Sequence, residues 1–75
     1  MDIANLIRMA NRIGDFFAAM PEREEALHDI AEHIRKFWEP RMRRELLAAL
    51  DGGEAAQLQE IVRTALARHR GLLEA

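Results

Sequence analysis

Residues 21–38, PEREEALHDIAEHIRKFW, carry the clearest structural signal in the chain. Pro21 suits the first position of a helix, and three glutamates follow in the first turn, where the helix dipole favours negative charge. Apolar residues then recur at helical spacing, and two bases fall in the last turn, where the dipole favours cations. The stretch therefore predicts an amphipathic helix over residues 21–38.

The sequence on either side of this stretch predicts two more helices. Residues 2–19 begin with Asp2, which can cap a helix, and continue with apolar residues three and four positions apart. On the other side, Pro40 breaks the pattern and can be the first residue of a third helix. This third helix is expected over residues 40–50, because an Asp-Gly-Gly turn follows it.

The C-terminal part predicts one further helix. Apolar residues at helical spacing place it over residues 54–69, and residues 70–75 are expected to be a fraying tail. No internal repeat or low-complexity linker divides the chain. The sequence therefore predicts one all-α domain over residues 1–75, a small bundle of three to four short helices.

Composition limits the ways in which so short a chain can be stabilised. It has 75 residues, of which 49% are hydrophobic, and a formal net charge of −2. A chain of this size buries only about 60% of its unfolded surface, and small domains usually need a disulfide, a metal or a partner. The sequence has no Cys, which excludes disulfides and thiolate metal sites. A protein partner, or self-association, is therefore the expected stabiliser.

The same features bear on localisation and on other classes of partner. No apolar run approaches the ~18 residues of a membrane span, and no cationic segment precedes an unbroken apolar core as in a secretory signal. The absence of Cys fits a reducing compartment. The negative net charge argues against nucleic acid. We therefore predict a cytoplasmic protein with neither a membrane nor a nucleic acid as its partner.

The histidines offer no convincing site for chemistry. His28 and Glu32 are four positions apart and could hold a metal, but no second pair stands in register, so a solvated helix face is favoured. His33 lies beside the apolar face of its helix, which favours a half-buried interface residue over a catalytic base. No Ser-His-Asp or Cys-His set exists, and the glycines form no phosphate loop. The sequence predicts no catalytic, cofactor-binding or metal-binding residue in this chain.

Residues 37–44, FWEPRMRR, combine aromatic residues with arginines around a proline. These are residue types enriched in interface hot spots. Phe37 and Trp38 would lie about 100° apart on a helix, so at least one of them is expected to serve the core. The arginines crowd the start of the third helix, where the dipole disfavours cations. Either they pair with the acidic residues of segment 22–32, or they meet an acidic surface elsewhere; nucleic acid is a weaker alternative.

Two segments resemble the delta subunit of soluble NAD-dependent formate dehydrogenases. Residues 9–17, MANRIGDFF, resemble the start of that subunit, and residues 30–43, IAEHIRKFWEPRMR, resemble its second block. The spacing between the two blocks fits as well, and Phe-Trp-acid-Pro-Arg-Met-Arg is an uncommon string. Arg12 departs from the family pattern, because it stands where an amide side chain is expected.

The resemblance implies a non-catalytic accessory subunit of a molybdenum- or tungsten-dependent complex that oxidises formate and reduces NAD. In such complexes the alpha subunit holds the metal–pterin cofactor and iron–sulfur clusters, while the beta and gamma subunits carry FMN and further clusters. The delta subunit has no cofactor of its own, and its implied role is to bind the alpha subunit and support assembly, cofactor retention or stability. The alternative is a self-associating helical module, such as a homodimer that uses the same face.

We expect seven residues to form the partner-binding surface. Their apolar side chains would fill pockets on the partner, and their arginines would pair with its carboxylates. Phe16 comes from the second of two apolar rows on the first helix, and that row could face either a partner or the domain's own core. The seven residues are Phe16, Phe37, Trp38, Arg41, Met42, Arg43 and Arg44.

Overall fold

The computed structural model describes residues 2–74, and this part of the chain is built from helices alone. The α-helices are α1 (Ile3–Phe17), α2 (Arg23–Phe37), α3 (Pro40–Asp51), α4 (Glu60–Arg68) and α5 (Arg70–Glu74), with a 3₁₀ helix at Gly53–Gln57. No strand occurs within these residues, so the all-α prediction is confirmed. None of these helices combines the length and the hydropathy needed to cross a lipid bilayer.

The first three helices begin and end within two residues of their predicted bounds. Asp2 caps α1, since its Oδ1 accepts a hydrogen bond from the backbone N–H of Ala4 at 3.2 Å. Helix α2 has acids in its first turn and bases in its last turn, as the helix dipole favours. Pro40 is the first residue of α3, and Glu39 before it is extended, with ψ of 152°. Local sequence signals therefore account for these three helices.

Helix α2 lies at the centre of the bundle, where it packs against α1, α4 and α5. All five α-helices contribute side chains to one hydrophobic core. Burying each large apolar side chain contributes about 1.5–3 kcal/mol. The fully buried large side chains are Leu6, Leu27, Ile30, Ile34, Leu46, Leu58, Val62, Leu66 and Leu73.

Gly14 marks a close approach between α1 and α4. A Cβ built at this position would lie 2.6 Å from Cγ2 of Val62 and 3.3 Å from Cγ2 of Ile61. The first distance is shorter than any contact that a real Cβ makes, so a side chain here would push the helices apart. Glycine costs a helix about 1 kcal/mol relative to alanine, and at Gly14 this cost permits the packing of α1 on α4.

The fourth helix begins later than the sequence predicts. Gly53–Gln57 form the 3₁₀ helix, and Leu58 after it is extended and buried. Asn11 on α1 holds this junction, because its Nδ2 donates to the carbonyl of Gln57 at 3.0 Å and its Oδ1 accepts from the N–H of Gln59 at 2.9 Å. The prediction of one continuous fourth helix is therefore wrong. The hydrogen bonds of Asn11 join residues far apart in sequence, so no local sequence pattern indicates this break.

The predicted C-terminal tail is a fifth helix as far as residue 74, while residue 75 lies outside the described part of the chain. Leu73 is only 2% exposed and belongs to the core. Arg70 donates to both carboxylate oxygens of Asp51, at 2.9 and 2.7 Å, and to Glu74 at 3.0 Å. The prediction of a frayed tail at residues 70–74 is wrong because the helix is stabilised by tertiary contacts rather than by its own length.

Candidate protein-binding surface

Two phenylalanines are the exposed large hydrophobic side chains of the described structure. Phe16 is 74% exposed and Phe37 is 71% exposed. Phe16 lies in the last turn of α1, and Phe37 is the last residue of α2. A single exposed apolar residue is ordinary on a protein surface, whereas a contiguous group marks a binding surface. The question is therefore whether these two side chains belong to one patch.

The rings of Phe17 and His33 connect the two exposed phenylalanines. Phe16 contacts Phe17 edge to face, with ring centroids 5.0 Å apart, and Phe17 lies 6.1 Å from His33 on α2. His33 in turn lies 4.8 Å from Phe37. These four residues, which we call the aromatic row, cross from α1 to α2 and contain every phenylalanine of the chain. The sequence predicted both ends of this row as partner-binding residues and His33 as a half-buried interface residue, but it did not predict that Phe17 and His33 join the two ends.

A signal for the joining residues was available in the sequence. Phe17 follows Phe16 directly, and His33 precedes Phe37 by four positions, which places both on one side of α2. What the sequence does not show is that the last turn of α1 lies against that side of α2. Because this contact is tertiary, the row becomes visible only in the folded chain.

Phe37 points outward and Trp38 inward because α2 ends between them. Trp38 caps the helix, with its N–H bonded to the carbonyl of Ile34 at 2.9 Å, and its backbone is extended at φ −97° and ψ 140°. This turn carries the indole into the core, where Trp38 is 6% exposed. Of the two adjacent aromatic residues, Trp38 therefore serves the fold and Phe37 lies on the surface.

Arg43 is also part of the interior, with 8% of its surface exposed. Its Nη1 donates to the backbone carbonyl of Arg35 at 3.3 Å. That carbonyl lies in the last turn of α2, where the helix leaves acceptors unpaired and favours a cation. The guanidinium at the start of α3 thus interacts with the end of α2, which explains a placement that looked unfavourable within its own helix.

The remaining predicted residues lie on or near the surface of α3. Arg41 and Arg44 are exposed and form no ion pair within residues 2–74. Met42 is half-buried and packs against the core. The acidic segment 22–32 does not pair with Arg41 or Arg44. Within that segment, Glu24 pairs with Arg68 and Glu32 pairs with Arg35.

A shallow hollow with charged edges runs along the middle of the aromatic row. Phe17, His33 and Phe37 line it together with three charged residues of α2. One of these, Glu32, accepts from Arg35 at 2.9 Å, and this hydrogen bond lowers the pKa of its carboxyl below the usual range. The other two are Asp29 and Lys36. The hollow is therefore lined by both aromatic rings and charged side chains.

The histidines and acids of the described residues do not converge on a metal site. No set of three or more His, Asp or Glu side chains in residues 2–74 is placed to hold a metal ion. His28 lies 3.5 Å from Asp29 and 3.8 Å from Glu32 on one exposed face of α2. An aromatic row with two exposed phenylalanine rings can bury apolar area against a partner, which is the chemistry of protein association.

Comparison with known proteins identifies a family. The family model of the NADH-dependent formate dehydrogenase delta subunit, FdsD, matches residues 5–66. No curated protein and no solved structure matches the chain significantly. The family match extends past the two segments that carried the resemblance, and it covers α2, α3 and most of α1 and α4. The resemblance is thereby confirmed, and the protein belongs to the FdsD family of formate dehydrogenase delta subunits.

Proposed function

We propose that this chain is a non-catalytic accessory subunit that binds the catalytic alpha subunit of an NAD-dependent formate dehydrogenase. Through this contact it supports assembly of the complex, retention of its cofactors or its stability. The observation that carries the proposal is the exposure of Phe16 and Phe37, at 74% and 71%, on one continuous aromatic row. Membership of the formate dehydrogenase delta subunit family supports the choice of this complex.

The energetics of the aromatic row favour a covered state. A phenylalanine buries about 150–250 Å² when fully covered, and each Å² of apolar area removed from water contributes about 25 cal/mol. In the free chain Phe16 and Phe37 are mostly exposed, so most of this favourable burial free energy is not realised. A pocket on the alpha subunit that receives them would recover it, and such aromatic anchors commonly dominate the free energy of binding.

The seven residues predicted from the sequence divide between two roles in this proposal. Phe16 and Phe37 contact the partner, and Arg41 and Arg44 pair with its carboxylates, with Met42 at the edge of the contact. Trp38 and Arg43 are buried, so they act by holding the surface in place.

The cofactors of the complex belong to other subunits in this proposal. Iron–sulfur clusters are held by Cys thiolates, and this chain has no Cys. The molybdenum or tungsten pterin, the clusters and FMN would lie in the alpha, beta and gamma subunits, together with the NAD site. The delta subunit would act in the cytoplasm, by contact alone.

The test replaces both exposed rings at once. The Phe16→Ala/Phe37→Ala variant and the unchanged chain are each mixed with tagged alpha subunit from the same organism, and capture is measured at increasing concentration. Loss of two central anchors should weaken capture at least about 30-fold. Since both side chains are exposed, circular dichroism should show the variant folded.

A matched control uses the other end of α2. Glu25 is exposed, and at 1.5 Å per residue it lies about 18 Å along the helix from Phe37. Glu25→Ala should bind the alpha subunit as the unchanged chain does. Full capture of the double variant, or no capture of the unchanged chain, would overturn the proposal. Light scattering tests the alternative, since a tight homodimer that ignores the alpha subunit would identify a self-associating module.

A further inference from the structure

The aromatic row has the dimensions of a short helix contact. Its successive centroid distances of 5.0, 6.1 and 4.8 Å place Phe16 and Phe37 no more than about 16 Å apart, which equals about three turns of an α-helix at 5.4 Å per turn. Three turns present apolar side chains at positions i, i+3 or i+4, and i+7 along one face. A helix lying along the row could therefore meet each exposed ring with one of its own side chains.

The fold restricts the other ways of binding a peptide. An extended segment can add to the edge of a sheet, but residues 2–74 form no sheet. The remaining common modes are a helix lying in a groove and a proline-rich segment on aromatic rings. The hollow lined by Phe17, His33 and Phe37 joins the end of α1 to α2, so its aromatic surface is shared by two helices.

Charge at the rim of the row distinguishes the partner further. Lys36 lines the hollow, and Arg12 lies one helical turn before Phe16; neither has an ion pair among residues 2–74. Of the two carboxylates in the hollow, Glu32 is paired with Arg35 at 2.8 Å, whereas Asp29 has only the His28 ring as a neighbour, at 3.5 Å. Asp15 is the one acid in the last turns of α1.

We infer that the aromatic row takes an amphipathic helix of the alpha subunit, with a carboxylate on its flank that pairs with Lys36. This inference rests on the proposed function and specifies the element that is bound. Apolar residues of that helix cover Phe16 and Phe37, and its acidic flank meets Lys36. A rim charge of this kind sets the orientation and partner choice of a contact whose affinity comes from the rings.

Two measurements test the inference. Hydrogen exchange of the alpha subunit, with and without this chain, should show one protected segment of about three helical turns. Its sequence should carry apolar residues at i, i+3 or i+4, and i+7, beside an Asp or Glu. Lys36→Glu should then weaken binding about tenfold, more strongly at low salt, and the reciprocal change of that carboxylate to Lys should restore it.

Arg8→Glu provides the control, because it makes the same change in net charge. Arg8 is exposed on α1, about 12 Å along the helix from Phe16, and it binds only the neutral side chain of Asn5. Its reversal should leave capture unchanged. A protected segment that is proline-rich, a protected site that spares the aromatic row, or equal effects of the two reversals would overturn this inference alone. Failure of the unchanged chain to bind the alpha subunit would overturn the proposed function as well.

Discussion

The region around α4 and α5 and the aromatic row differ in how far their side chains are paired or buried within the chain. Around α4 and α5 the exposed charges are paired within the chain: Arg68 binds Glu24, and Arg70 binds Asp51. Leu73 is also buried there, although it lies in a helix of only five residues. At the aromatic row, by contrast, Phe16 and Phe37 are exposed, and Lys36 and Arg12 have no ion pair within residues 2–74.

This difference separates the residues that make the fold from those that remain available to a partner. The α4–α5 side pairs its exposed arginines Arg68 and Arg70 with carboxylates of the chain and buries Leu73, so less free energy remains to be gained there by association. The aromatic row leaves apolar area in water, and this gain is realised only in a complex. Substitutions in the two regions test whether individual residues serve either the fold or the partner contact.

The largest expected effect comes from comparing the two adjacent aromatic residues. Trp38→Ala removes a core side chain and should lower the free energy of unfolding by about 3–5 kcal/mol, which is a large part of the stability of so small a domain. Phe37→Ala removes an exposed ring and should change it by no more than about 0.5 kcal/mol. Urea denaturation followed by circular dichroism measures both.

The outcome also decides how binding data are interpreted. A Trp38→Ala variant that fails to bind the alpha subunit would report unfolding, whereas a Phe37→Ala variant that fails to bind while folded would report a lost contact. Equal destabilisation by the two substitutions would show that Phe37 belongs to the core and would remove the basis of the comparison.

A smaller effect is expected where α1 meets α4. Gly14→Ala should gain helix propensity but force its Cβ against Val62, which would lie 2.6 Å away, so a net loss of about 1–3 kcal/mol is expected. Gly71, in α5, has no atom within 4 Å of the corresponding Cβ, and Gly71→Ala should instead stabilise by about 0.5–1 kcal/mol. Thermal unfolding of the two variants gives the comparison.

A second substitution confirms the cause at this contact. Val62→Ala removes the methyl group that the new Cβ would meet, so in the Gly14→Ala background it should cost less than it does alone. Purely additive changes would mean that α1 and α4 can separate without strain, and that the glycine is merely tolerated.

The smallest expected effect concerns the ion pairs of the α4–α5 side. The hydrogen bond from Arg70 holds the pKa of Asp51 below its ordinary value of 3.8. A carboxyl whose pKa is lowered in the folded state stabilises the fold above its ordinary pKa and loses this contribution as pH falls through the lowered value. Arg70→Gln should therefore lower the thermal midpoint at pH 6, and the gap to the unchanged chain should narrow below about pH 4.

Arg8→Gln is the matched control for this pH dependence. Arg8 donates to Asn5, which does not titrate, so any change in the midpoint should be the same at both pH values. A gap for Arg70→Gln that stays constant down to pH 2 would show that the pair with Asp51 contributes nothing measurable, as is common for exposed ion pairs.

Sequence reasoning succeeded where the controlling interactions are local. The dipole-matched charges of α2, the Asp2 cap of α1 and Pro40 at the start of α3 all act within a few residues, and all three helices follow from them. The family was also recognisable, because it depends on strings of adjacent residues in the first two-thirds of the chain.

Sequence reasoning failed where distant residues decide the outcome. Asn11 holds the junction before α4 from 46 and 48 positions away, and α5 forms because Leu73 and Arg70 reach groups on other helices. The candidate site divides in the same way. Its ends were identified from residue type, whereas the burial of Trp38 and Arg43 required the turn between α2 and α3.

The turn between α2 and α3 also affects the conformational entropy that is lost when a partner binds. Phe37 directly precedes the buried Trp38. Arg43 donates a hydrogen bond to the carbonyl of Arg35, in the last turn of the helix that ends with Phe37. The backbone that carries the Phe37 ring is therefore already fixed in the free chain. A preorganised anchor with only two side-chain torsions has little conformational entropy left to lose on docking.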